Sequence, residues 1–173
     1  VQEGLAKRVA SGESVGEFDA AFLTMRADLI KQRPDVVKAW MNAELDAQLF
    51  LSDPKNATEI IKLAKAETTG FSDRALWYSL YGSYSPLEGG TATRINLHYA
   101  ITPEARALID KATAFLFSIK SINVEKLRPE AVMPEFTQAI LKERGLTSPV
   151  GKVVAQDEKE FNVNALPDAQ APK

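Results

Sequence analysis

FDAAFLTMRADLIKQRPDVVKAWMNAELDAQLFLSDP, residues 18 to 54, decides how this chain is read. Ala20 to Met25 is a short, nearly unbroken apolar run, the pattern of a strand buried on both faces. Arg26 to Arg33 follows as a short helical turn that must stop before Pro34. From Pro34 the period changes. Val37, Met41, Leu45 and Leu49 recur every four residues with Trp40 beside them, one apolar stripe on a helix that runs to about Ser52. A strand buried on both faces needs cover on both, so the pair of elements implies a sheet with helices against it.

Outward from that stretch the chain offers many helices and few strands. Leu5 to Ala10 is a second candidate strand, with Lys7 and Arg8 marking it as an edge. Ser11 to Phe18 is a loop. Asp53 and Pro54 open another helix, with Ala57, Ile60, Ile61 and Ala64 inward and Gly70 at its end. Ser72 or Asp73 caps a third, carrying Leu76, Trp77, Leu80 and Tyr81. Gly82 to Thr93 is a glycine-, serine- and proline-rich loop, and Ile95 to Ile101 is extended or irregular. Thr102 and Pro103 start a helix with Leu108, Ile109, Ala112, Phe115, Leu116 and Ile119 on one stripe. Pro129 to Arg144 is the last helix, restarting at Pro134 and ending at Gly145. From Pro149 the chain is polar and aperiodic, a tail.

Composition narrows the function. The chain has 173 residues, 45% hydrophobic and 25% charged, with net charge -2. That is ordinary globular composition, without the basic surplus that nucleic acid would attract. No apolar run approaches the roughly 20 residues that span a bilayer. The chain has no cysteine, which removes disulfides, thiolate metal sites and cysteine nucleophiles and is compatible with an oxidising compartment. His98 is the only histidine, too few for a histidine-based metal site. No phosphate-loop or dinucleotide glycine pattern occurs. No metal or cofactor is expected, and no spacing singles out a catalytic carboxylate pair, so an enzyme is the weaker expectation.

The run FDAAFLTMRADLIKQRPDVVKAWMNAELDAQLFLSDPKNATEIIKLAKAETTG resembles the C-terminal part of periplasmic solute-binding proteins of ABC importers, in the group serving nitrate, aliphatic sulfonates and taurine. In that family a strand of the type xFLVxRxDF returns the chain from the second lobe to the first. A PDVVKA helix, an Asn/Asp-Pro loop and an A-x-EII…TG helix follow it. The resemblance spans roughly Gly4 to Gly145. It implies an α/β fold of the type II periplasmic-binding-protein kind, here a C-terminal fragment dominated by helices with one or two strands. Residues 1–19 would be the end of the second lobe and the hinge, 20–148 the C-terminal part of the first lobe, and 149–173 the polar tail. The start at Val1 fits a piece of something longer. Either a missing N-terminal segment or self-association would then complete the fold.

The resemblance also implies a function. The chain would be the substrate-binding component of an importer, periplasmic or extracytoplasmic, holding a small organic solute such as a sulfonate, taurine or nitrate between two lobes and delivering it to the transporter's membrane subunits. It implies that Ser14, Glu17, Phe18 and Asp19 lie at the hinge and cleft. Asp19 stands where taurine-type members meet the solute's ammonium group, and a carboxylate there favours a cationic or zwitterionic solute. The bland alternative makes Ser14 and Glu17 solvated loop residues and Asp19 a turn cap. In WYSLYGSY, Trp77 and Tyr81 are four apart and suit a core, whereas Tyr84 and Ser85, beside the glycine-rich loop, are placed to reach a ligand. The competing expectation is a helical interaction module, or a fragment with no ligand of its own.

Overall fold

Prolines and short polar caps set the helix starts. Pro34 opens α2 (Pro34–Ser52), Pro103 opens α5 (Pro103–Ser118) and Pro134 opens α6 (Pro134–Arg144). Each occupies a first-turn position where a missing N–H costs nothing. The Ser72 hydroxyl accepts from the Ala75 N–H at 3.2 Å to start α4 (Asp73–Leu80), and the Thr102 hydroxyl accepts from Ala105 at 3.1 Å to start α5. The Asp53 carboxylate caps a short turn over Pro54–Asn56 that leads into α3 (Ala57–Glu67). Gly145, at φ +64°, ends α6, and the Leu146 N–H returns to the Leu141 carbonyl at 2.9 Å. A left-handed residue after the last turn is a glycine's place.

This architecture is a computed structural model describing residues 6–12, 21–157 and 159. It is helix-rich with one two-stranded sheet. The chain packs as two units: 1–19, 47–97 and 151–173 in one, 20–46 and 98–150 in the other.

The first unit holds α3, α4 and the sheet. β1 (Thr93–Leu97) pairs antiparallel with β2 (Gly151–Val154), Asn96 facing Lys152 and Leu97 facing Gly151. The ladder continues loosely beyond β2: the Ala155 N–H donates to the Ala92 carbonyl at 2.9 Å, and the Gln156 N–H to the Tyr81 carbonyl at 2.7 Å. Residues 151–156, expected as the start of a polar tail, are therefore paired backbone. Ile61, Trp77, Tyr81, Leu97 and Val153 are buried. A Cβ on Gly151 would lie 2.6 Å from that of Ser52, so only glycine fits where β2 meets the end of α2.

The second unit holds α1 (Ala27–Gln32), the first part of α2, α5 and α6. Val37, Met41 and Leu45 form the buried stripe of α2, with Ile140 and Leu141 buried on α6. Each such side chain contributes about 1.5–3 kcal/mol by leaving water. The Tyr99 hydroxyl donates to the Met41 carbonyl at 2.7 Å. Lys38–Glu143 and Arg144–Asp46 tie α6 to α2 at 2.6 and 2.8 Å. These ion pairs are exposed and add little.

Two expected strands are not formed among the described residues. Residues 21–25 carry no strand, and Phe22 and Leu23 are 42% and 53% exposed. Residues 6–10 carry none either. Extended backbone is held by a neighbour's N–H and C=O groups, and neither segment has a ladder partner among the described residues. The α5 stripe is also uncovered in its second half: Phe115 is 61% and Ile119 56% exposed.

Candidate functional site

The turn after α4 gathers the polar and aromatic groups of the first unit. Ser85 caps a short helical turn over Pro86–Glu88, its hydroxyl accepting from the Leu87 N–H at 3.2 Å. The loop then doubles back. The Gly89 N–H donates to the Pro86 carbonyl and the Gly90 N–H to the Ser85 carbonyl, both at 3.0 Å. Gly89 has φ +76°, and a Cβ on Gly90 would collide with the Tyr84 carbonyl, so the glycine pair is what lets the loop close.

That closure fixes Tyr84. Its hydroxyl donates to the Tyr78 carbonyl at 3.1 Å, and its ring lies 6.0 Å from the Tyr78 ring. Two guanidinium groups meet the Tyr84 ring. The Arg8 carbon lies 3.8 Å and the Arg94 carbon 4.6 Å from its centroid. A cation over an aromatic face is attracted to it, but two cations on one ring also repel. The two carbons are no more than about 9 Å apart, and unit charges at that separation repel by about 2 kcal/mol at an effective permittivity of about 20, less where water screens them.

Little among the described residues offsets that repulsion. Neither guanidinium has a carboxylate within ion-pair distance there. Arg94 donates one N–H to the Ser79 carbonyl at 2.9 Å, while its buried Nε has no hydrogen-bond partner among the described residues. Burial draws the Arg94 guanidinium below its ordinary pKa; Tyr84 opposes that and Arg8 adds to it. The chemical sum is a pair of cations, one with an unused donor, beside an aromatic ring and a serine-bearing loop.

Of the expected site residues, Tyr84 and Ser85 lie here. Ser14, Glu17, Phe18 and Asp19 lie outside the described residues. Trp77 and Tyr81 are buried, 3% and 1% exposed, as the core expectation has them. Burial pushes the Tyr81 hydroxyl up to about 12, and that hydroxyl has no hydrogen-bond partner among the described residues. Arg8, Ser11 and Arg94 were not singled out from sequence, since 86 positions separate the arginines and no local spacing links them. His98 is exposed, and no group of three or more metal-ligating side chains comes together among the described residues. No helix among them is long and apolar enough to cross a membrane. No family model, curated protein or solved structure matches the chain.

Proposed function

We propose that this chain is the solute-capturing component of an ABC import system, working outside the cytoplasm and passing a small organic solute to the transporter's membrane subunits. Under this reading it is the C-terminal part of a two-lobed α/β protein of the type II periplasmic-binding kind. The solute is a sulfonate, taurine, nitrate or a related small molecule. The observation that carries the reading is the convergence of Arg8, Tyr84 and Arg94 beside Ser85. It joins an aromatic wall to a few polar groups, the make-up of small-molecule sites. The exposed apolar residues Phe22 and Leu23 fit a strand whose sheet neighbours lie elsewhere. Capture needs no catalysis, only differential affinity for the closed form.

A panel of sulfonates, nitrate, amino-sulfonates and pyrimidine precursors tests this by thermal melting. A true solute at about a hundredfold its dissociation constant raises the melting temperature by about 5 °C or more. A panel that leaves the melting curve unmoved removes the reading. One observation favours a second reading, a helical interaction module: the bared half of the α5 stripe. Apolar surface of that kind drives association, and sedimentation as a clean 19.0 kDa monomer counts against it.

A further inference from the structure

We infer that the tip of α5, with the loop after it, dips into the surface of an anionic lipid bilayer. The inference takes the bared end of α5, which the second reading above gives to association, and names lipid as its cover. It does not need solute capture. It rests on exposure, backbone closure and charge, all within the second unit of the fold.

Every residue from Ala114 to Lys120 is exposed, Phe115, Leu116, Phe117 and Ile119 among them. Successive helical residues are turned by about 100°, so this run goes right round the axis. The last turn of α5 therefore has no buried side, whereas Thr113, just before it, is buried. In the loop, Val124 and Leu127 are exposed as well. A partner helix or a groove covers one stripe of a helix. Apolar surface on every side is covered by a medium that flows around it, and the acyl boundary of a bilayer is one. The rise from Ala114 to Ile119 is about 8 Å at roughly 1.5 Å per residue. Apolar faces sink roughly 5–10 Å at a bilayer interface.

A helix end approaches hydrocarbon at least cost when its last carbonyls already have partners. The Phe115 carbonyl accepts from the Ile119 N–H at 3.1 Å and from the Ser118 hydroxyl at 2.7 Å. The Leu116 carbonyl accepts from the Ser121 N–H, and the Phe117 carbonyl from the Lys120 N–H, both at 2.9 Å. Lys120 closes the helix in this way by taking a left-handed backbone at φ +60°, a place glycine usually fills. A lysine there sets a cation beside the apolar tip.

Charge selects the headgroup. Residues 114–128 carry Lys120, Lys126 and Arg128 against Glu125 alone, in a chain of net charge -2. Glu130, just beyond, lies 3.9 Å from Arg128, and neither Lys120 nor Lys126 has an ion pair among the described residues. Lysine stems lie along apolar surface while the ammonium reaches water, and each cation near an anionic leaflet adds attraction. Exposed phenylalanine and leucine interleaved with cations are the make-up of an interfacial anchor.

Co-sedimentation of the full chain with vesicles tests this. Vesicles of equal phosphatidylcholine and phosphatidylglycerol should bind it about tenfold more tightly than phosphatidylcholine alone. Phe115→Ser and Phe117→Ser should each weaken binding about tenfold. Lys120→Gln and Lys126→Gln should each weaken it about fivefold, on the anionic vesicles only. Phe71→Ser removes an exposed phenylalanine elsewhere and should leave binding unchanged. All five side chains are exposed, so these changes spare the core. Binding that survives both α5 phenylalanine changes, equal binding to the two vesicles, or none at roughly 1 mM lipid overturns the inference. A chain that self-associates through Phe115 and ignores vesicles overturns lipid as the cover and leaves the interaction module standing. Vesicle binding by a chain that sediments as a monomer without lipid does the reverse.

Discussion

Residues 21–25, AFLTM, lie largely exposed and without a ladder partner among the described residues, whereas residues 151–154, GKVV, form a ladder with β1 and bury Val153 to 2% exposure. Apolar content alone would rank them the other way. What separates them is a partner. An extended segment keeps its N–H and C=O groups satisfied either by water or by a neighbouring strand, and burial of its side chains follows only in the second case. The first segment has the side chains of a doubly buried strand and no strand neighbour among the described residues. The second has a glycine that allows close approach and a β1 backbone to meet.

Substitutions at the two places should therefore diverge, most of all for a charge. Val153→Asp buries an unpaired carboxylate and is expected to cost about 3 kcal/mol or more. Phe22→Asp should change stability by no more than about 0.5 kcal/mol. Urea denaturation of both variants measures the contrast, and a similar loss in each would erase it. Gly151→Ala comes next. Its new methyl group meets Ser52, so a loss of about 1–3 kcal/mol is expected, read in the same way.

Smaller effects distinguish two buried phenols. Tyr99→Phe removes the hydrogen bond to the Met41 carbonyl and should cost about 1 kcal/mol. Tyr81→Phe removes a hydroxyl with no hydrogen-bond partner among the described residues and should be neutral or stabilising. Burial raises both tyrosines to about 12, above their ordinary value of about 10. Each therefore favours the folded state fully below pH 10, and that contribution is lost as pH rises from about 10 towards 12. Alkaline melting curves should steepen in that window, and Tyr81→Phe should flatten them.

The helices were largely legible because their ends are written in local chemistry: Pro34, the Asp53 cap, Ser72, Thr102 and the left-handed Gly145. Those signals act within one turn of the backbone. The sheet was not legible, because β1 and β2 are joined by pairing across more than fifty residues and neither announces its partner. The site was half legible. Tyr84 and Ser85 stood out beside the glycine-rich loop, but Arg8 and Arg94 meet only through the fold. For α5 the stripe was legible and its cover was not, since periodicity names the face of a helix and says nothing of what lies against it.

Amide hydrogen exchange across the intact chain tests most directly the claim that pairing, not apolarity, makes strands here. The amides of 21–25 should exchange at close to unprotected rates, while those that β2 contributes to its ladder with β1 should be slowed to the rates of the surrounding core. Equal protection of the two segments would contradict it.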